Sequence, residues 1–448
     1  MFRALVALSW PIATGMMSET LLGLVDTKLV GGLGASALGG VGVAVTLMFL
    51  NYSLVFGAMR AVKVRTAFAV GEGRPDDGVR YALAGTAIGA AVGVVVWALG
   101  RDVSALLALL RVDPRLIPYA RDFFAAVTYG APATCALTAL QSHRQALGDA
   151  RTPMVVGITG NVVNAGLSYS LIYGRFGLPQ LGVQGSGFGT ATAEWLELGA
   201  LLFILLREAR TASPKIPFGA ATREVLTIGL PTGLQFGGEM LAFTTFTAIL
   251  GNIGGADMAA HQVAMATIRT SFLPGIAVGE ASSILVGQAL GRRRLVEADQ
   301  ANRAALGLAT GFMAACGVVF GLFGEQIARA FSSDEDVVAV ARRLLLVAAF
   351  FQVLDAFNVV LRGSLRGAAD VKVPAFLGIL IVWTCVPSAA FFLGKLGGMG
   401  ALGGWYGFLA ETVLSTVLFG WRWNRGTWRT AYVEEAKGAV PLAVAAGS

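Results

Sequence analysis

Residues 231–262 read PTGLQFGGEMLAFTTFTAILGNIGGADMAAHQ, a run apolar enough for a membrane span that nevertheless carries one carboxylate, Glu239. A charged side chain at bilayer depth is costly, so a lone Glu in such a run faces a cavity rather than lipid. Residues 11–42 read PIATGMMSETLLGLVDTKLVGGLGASALGGVG and repeat the pattern: Pro11 answers Pro231, Glu19 answers Glu239, Gly31 answers Gly251 and Gly34 answers Gly254. The chain is therefore expected to consist of two related halves.

Composition sets the class. Hydrophobic residues make up 55% of the 448 and charged residues 14%, where a soluble domain has about a quarter charged; mean hydropathy is +0.69. This is a polytopic, all-α integral membrane protein. Residues 1–10 hold one basic residue and run into a longer apolar segment, so no cleavable signal is expected. Cys135, Cys316 and Cys385 lie far apart in apolar runs and read as small packing residues, and His143 and His261 are too distant for a zinc site. The net charge of +7 is explained by cytoplasmic loops rather than by a nucleic-acid partner.

A helix needs roughly 20 apolar residues to cross a bilayer core, and cutting the chain at its charge and Gly/Pro clusters gives twelve spans. They fall at 4–32, 36–71, 79–108, 116–147, 153–177 and 183–208, then at 222–252, 256–290, 299–325, 336–366, 373–396 and 400–424. The expected domains are an N-lobe over 1–208, a linker over 209–221, a C-lobe over 222–425 and a tail over 426–448. With both termini cytoplasmic, most Lys and Arg fall on inward connections, among them Arg60, Lys63, Arg65, Arg74, Arg292, Arg293, Arg294, Arg362, Arg366 and Lys437. The repeat continues through Gly71 and Gly291, Arg74 and Arg294, and Asp77 and Glu297; later it drifts, with Gly148 answering Gly367 and Pro153 answering Pro374. Six spans per half means that both halves insert the same way up, an arrangement that puts substrate and ion sites between or within the halves.

Four stretches in this order and spacing make the chain resemble the multidrug and toxic compound extrusion (MATE) family over nearly its whole length. They are VDTKLVGGLGASALGG at 25–40; QALGDARTP at 145–153 followed by NVVN and YGRFGLPQLGVQG; AAHQVA at 259–264 with VGQALG at 286–291; and LDAFNVVLRGSLRGAAD at 354–370. The resemblance implies two six-helix lobes around a central cavity, exporting organic substrates against an inward flow of H⁺ or Na⁺. It also implies coupling roles for three acids: Asp26 in the N-lobe, and Glu239 with Asp355 in the C-lobe, as in the NorM-like branch.

The residues themselves point the same way. Asp26 sits about six residues, roughly 9 Å, from the outer end of span 1, with Lys28 as its alternative, purely structural partner. Glu239 and Asp355 both come to a depth of roughly 17 Å, near the midplane, where two acids can share a proton or a Na⁺ ion. Many family members place Asn and then Asp or Asn four residues later on span 5, bonded to the span 1 acid; here the pair is Asn164 and Ser168, which weakens the N-lobe switch. Glu19, as the repeat partner of Glu239, reads as a cavity or substrate residue, and Glu194 and Glu197 on span 6 read as structural. Arg60 answers Glu280 in the repeat, and the two form a candidate cytoplasmic gate, the alternative being that Arg60 snorkels to the interface. His261 opens span 8 as a satisfied polar residue or a cavity-facing one.

The expected function is a secondary antiporter of cationic or amphipathic organic compounds, with no cofactor beyond the coupling H⁺ or Na⁺. The expected setting is a single copy in a bacterial inner membrane. An exporter of anionic metabolites or lipid-linked substrates is the alternative, motivated by the basic cluster on span 2. An enzyme would need a clustered nucleophile, base or metal set, and none is visible; a channel would need a filter-like loop or charge ring.

Overall fold

The structure is a computed structural model and describes residues 1–429; the rest of the expected tail, including Lys437, lies outside the described residues. The N-terminal half runs α1 (Phe2–Gly31), α2 (Ala35–Gly71), α3 (Pro75–Gly100), α4 (Ser104–Leu109), α5 (Ile117–Val127), α6 (Ala131–Ala146), α7 (Arg151–Tyr173) and α8 (Val183–Ala209). The C-terminal half runs α9 (Phe218–Gly251), α10 (Gly255–Gly291), α11 (Leu295–Phe331), α12 (Glu335–Gly367), α13 (Lys372–Ala389) and α14 (Gly400–Arg425). No strand occurs among the described residues. One 3₁₀ turn, Thr128–Gly130, joins α5 to α6 into a single span, and a π-helical segment, Ala390–Leu396, extends α13.

Twelve spans thus form among the described residues, as the apolar runs require, because inside a bilayer every backbone N–H and C=O must be bonded within its own segment. Eleven are long and apolar enough to cross a membrane by length and composition alone. The other, α9, has ample length, but Arg223, Glu224, Gln235 and Glu239 interrupt its run. The third span ends earlier than expected, at Gly100. There Asp102 accepts the Ser104 backbone N–H at 2.9 Å and starts the separate short helix α4.

By internal contact the chain resolves into two compact units. An N-terminal unit holds Trp10–Val70 and Arg74–Gly237, and a C-terminal unit holds Met1–Ser9, Gly71–Gly73 and the described chain from Gly238 onward. The linker is stitched into the first of these: Asp76 accepts the Ser213 N–H at 3.0 Å, and Asp77 accepts those of Lys215 and Ile216 at 2.6 and 3.1 Å. Contact therefore divides the chain inside α9 and not within 209–221.

Small residues set the helix spacing in each unit. In the N-terminal unit, Gly89 and Gly93 of α3 lie on α6, where a Cβ would sit 2.5 Å from the Cys135 carbonyl and 2.4 Å from that of Ala131. In the C-terminal unit, Gly363 and Gly367 of α12 lie on α10, with the Gly279 and Ser283 carbonyls 2.2 and 2.3 Å from the Cβ positions. Such small-xxx-small contacts let backbones approach where lipid offers no hydrophobic drive for association. The Ser282 and Ser364 hydroxyls, 2.8 Å apart, and the Ser364 bond to Asn302 at 2.7 Å pin this crossing.

One turn recurs at four places that the repeat relates, and also closes α4 and α7, at Arg111 and Gly174. The N–H of Arg74, Asp149, Arg294 and Asp370 each reaches back five residues, to the carbonyls of Ala69, Arg144, Ala289 and Leu365 at 2.8 to 3.1 Å, the bond that closes a helix in the Schellman manner. The residue before each has positive φ: Gly73 (74°), Gly148 (92°), Arg293 (60°) and Ala369 (59°). Gly148 therefore answers Ala369 and not Gly367, whose place is the packing surface against Ser283. The charge motif recurs as well, with Arg74–Asp77 at 2.8 Å and Arg294–Glu297 at 2.6 Å.

A residue with a Cβ in the left-handed region costs about 1 kcal/mol or more, and no atom within 4 Å would meet a Cβ at Gly148. Ala369→Gly is therefore expected to raise, and Gly148→Ala to lower, the thermal unfolding midpoint of the purified protein by amounts of similar size. No shift in either would show that these turns do not carry the strain.

Candidate functional site

Asp355, Asn358 and Arg362 fall at i, i+3 and i+7 of α12, which puts them on one face. From that face the Arg362 guanidinium donates one arm to Glu239 Oε1 of α9 at 2.6 Å and the other to Glu411 Oε1 of α14 at 3.2 Å. Glu411 also accepts the Ser415 hydroxyl at 2.9 Å and that of Thr412 at 3.1 Å. All three acids are enclosed: Glu239 is 8%, Glu411 7% and Asp355 4% exposed. The Asn358 amide approaches Asp355 Oδ1 at 3.5 Å, while Asp355 Oδ2 and Asn358 Oδ1 are buried without a partner. The guanidinium also lies 5.3 Å from the Phe419 ring centroid, and Asp355 is within its electrostatic reach.

The chemistry of this cluster follows from its charge count. Three carboxylates share one guanidinium, so full ionisation would leave the cluster short of positive charge in a low-dielectric setting. It can accept protons or a small cation, and the fixed cation can redistribute between Glu239 and Glu411 when one of them is neutralised. Among the described residues no group of three or more His, Cys, Asp and Glu side chains is arranged to hold a metal ion.

The N-terminal unit holds the other expected residues. Asn164 donates to Thr190 at 3.2 Å and accepts the Ser168 hydroxyl at 2.8 Å. Asp26 joins neither: its Oδ1 is buried without a partner, and no ion pair with Lys28 occurs among the described residues. Glu19 on α1 lies within electrostatic reach of Glu194 and Glu197 on α8. The structure therefore gathers those three acids, and Asp26 is not hydrogen-bonded to the Asn164–Ser168 pair.

Three further placements qualify the sequence reading. His261 does not face a cavity: it is 4% exposed, accepts the Trp405 indole N–H at 3.3 Å and meets the Phe246 ring edge-on at 5.3 Å, as a core polar residue does. Arg60 lies over the Phe236 ring at 4.9 Å, and Glu280 is held by Arg366 at 2.9 Å within the C-terminal unit. Arg362 and Arg366 are helix residues engaged with buried acids, not loop charges, so they carry no information about orientation. The reading missed Glu411 and the role of Arg362. The signal was there in the spacing of Asp355, Asn358 and Arg362, all upstream of the span's expected end at 366.

The MatE family model matches residues 11–170 and, a second time, residues 231–390. The chain belongs to the MATE family. The two matches are offset by 220 residues, as Glu19 and Glu239 are. This MATE chain is 30% identical to the probable multidrug resistance protein NorM of Burkholderia pseudomallei (strain K96243) over 444 residues, covering 96% of the chain and 94% of that protein. To the multidrug resistance protein MdtK of Proteus mirabilis (strain HI4320) it is 28% identical over 434 residues, covering 94% of each. Among solved structures, the eukaryotic MATE transporter AtDTX14 superposes with a TM-score of 0.85 at 20% identity, covering 96% of this chain and 97% of that one. A MOP superfamily transporter from Pyrococcus furiosus gives 0.85 at 20%, covering 96% of each. These likenesses establish the fold, and with the apolar spans they make the chain a multi-pass membrane protein.

Removing one partner of a buried pair costs about 3–5 kcal/mol, chiefly because the other charge is left uncompensated. Arg362→Gln is expected to destabilise this MATE protein by that order, with Arg362→Gln/Glu239→Gln recovering part of the loss in thermal unfolding. A single variant as stable as wild type would show that the guanidinium does not hold the cluster.

Proposed function

We propose that this protein exports organic cations in exchange for protons, by alternating access, from the cytoplasmic side of a bacterial inner membrane. Family membership and the multidrug resistance roles of the NorM and MdtK relatives support multidrug export. The observation that carries the choice of ion is the Arg362 bridge. A Na⁺ ion at Glu239 and Asp355 has to compete with a guanidinium already bonded to Glu239 at 2.6 Å, whereas a proton needs only one carboxylate oxygen, and Asp355 Oδ2 is buried without a partner. Protonation of Glu239 frees Arg362 to move toward Glu411, and deprotonation draws it back; that exchange is the coupling step in this reading, with Asp355 as a second proton acceptor, Asp26 as the N-terminal acid, and Asn164 and Ser168 as the supporting polar pair of that unit.

The anionic-substrate alternative loses its motivation, because the span 2 cluster is engaged. Arg65 pairs with Glu224 at 3.2 Å, Arg60 stacks on Phe236 and Lys63 is buried. In the same reading both termini are cytoplasmic, one copy suffices, and Arg60 with Glu280 closes the cytoplasmic side, Arg366 holding the Glu280 carboxylate in place.

Ethidium efflux from reconstituted vesicles tests the coupling. A pH gradient is expected to drive it, with Glu239→Gln and Asp355→Asn each lowering the rate by about ten-fold or more, as loss of a proton-carrying group in the transport step implies. Efflux driven by a Na⁺ gradient alone would overturn the proton reading. For the gate, Arg60→Glu and Glu280→Arg are each expected to impair transport, and the charge-swapped double variant to restore it; no recovery would remove the pair.

A further inference from the structure

We propose that Glu19, Glu194 and Glu197 form a second carboxylate site, within the N-terminal unit, that receives the organic cation itself. This inference rests on the cation-export reading above and names the place in this chain where the cargo binds.

The site is built on three helices. Glu194 and Glu197 lie one turn apart on α8, and Glu19 on α1 is within electrostatic reach of both. Two glycines make room for the acids: a Cβ at Gly130 would sit 2.2 Å from Glu194 Oε2, and one at Gly160 of α7 would sit 1.9 Å from Glu197 Oε1. The carboxylates thus rest on bare backbone. Beside them Asn161 of α7 donates to the Ser18 hydroxyl at 2.8 Å, which fixes α1 next to Glu19.

Two observations say that something is missing. Glu194 Oε2 is buried with no hydrogen-bond partner. Tyr52, 3% exposed, also has a hydroxyl that meets no partner in hydrogen-bonding geometry; it is within electrostatic reach of Glu194, and Thr134 is the polar neighbour of both. Among the described residues no Lys, Arg or His pairs with any of the three acids. The C-terminal cluster differs on this point, since its acids share Arg362.

Exposure gives the direction of access. Glu19 is in mid-helix yet exposed, and Glu194 and Glu197 are half-buried. A carboxylate at that depth faces water and not lipid, so the three open onto a wet face. Three acids without a counter-ion call for positive charge from outside. The Tyr52 and Phe56 rings, 5.8 Å apart, add aromatic faces that suit a soft organic cation. Carboxylates beside aromatic faces suit a protonated amine, or a quaternary ammonium or phosphonium ion.

Radiolabelled tetraphenylphosphonium is the probe, bound to the full chain in nanodiscs at constant pH. Glu194→Gln/Glu197→Gln, and separately Glu19→Gln, are expected to weaken binding by about ten-fold or more, the scale of losing a buried charge partner, while Glu335→Gln, at an exposed acid of the first turn of α12, leaves it within about two-fold. Unchanged affinity in the Glu variants while wild type binds would overturn this site and leave the export reading standing; this is also the result if the acids carry only protons. Wild type that binds no tetraphenylphosphonium would overturn the cation reading and this site with it. A second measurement needs no variant: dicyclohexylcarbodiimide, which modifies carboxyl groups in apolar surroundings, is expected to label the peptide containing Glu194 and Glu197 and to be excluded by tetraphenylphosphonium. Labelling that the cation does not reduce would overturn the proposal.

Discussion

The Arg362 guanidinium, shared between Glu239 and Glu411, is the interaction on which the C-terminal unit depends. Arg presents its donors as a planar fork, so one side chain can hold two carboxylates from different helices at once. Here it ties α12 to α9 and to α14. A lysine offers a single point charge and could not span both acids with the same geometry. The residue that follows, Gly363, removes the side chain that would separate α12 from α10. The close crossing of these two helices and the reach of Arg362 toward Glu239 are therefore set within two consecutive positions of the chain.

The two halves descend from one pattern but differ in counter-charge. Glu19 and Glu239 occupy equivalent positions, yet Glu239 has a resident guanidinium, whereas Glu19 shares its surroundings with two more acids. A cluster that carries its own cation responds chiefly to gain or loss of a proton, since any further cation must displace a bonded partner. A cluster without one is incomplete until a cation arrives. Duplication supplies two acid sites, and the placement of a single basic residue is enough to give them different tasks.

The class of the protein and its span count were legible because apolar runs and their interruptions are one-dimensional features. Glu239 and Asp355 were legible for the same reason, each being an acid inside an apolar run. Arg362 was not, because an Arg within a few residues of an apparent span end looks like a snorkelling interface residue; only its bonds to Glu239 of α9 and Glu411 of α14 show that it is enclosed. Glu411 offered no repeat partner to draw attention to it. His261 shows a related limit: a lone His near the end of an apolar run reads either as a satisfied polar residue or as a cavity-facing one, and the choice is made by Trp405 and Phe246, which converge on it from other helices, a long-range packing fact with no local signature.

The recurring turn shows how far the fold prevails over local preference. Of these four turns, the two in the N-terminal half have glycine at the left-handed position, the residue that adopts positive φ without penalty, although Arg111 takes the same conformation where Val112 bonds back to Leu107. In the C-terminal half the corresponding residues are Arg293 and Ala369, which do pay one, yet the same five-residue backbone bond closes each helix. Such a conformation persists only where its surroundings over-determine it. They do so here: Asp370, next to Ala369, is gripped by both arms of Arg422 at 2.7 and 2.8 Å, and Arg294, next to Arg293, is paired with Glu297. In the N-terminal half Asp149, next to Gly148, is likewise paired, with Arg144. At these four turns the ion pairs are common to both halves while the glycines are not, so there the flanking charges hold the turn and glycine only lowers its strain.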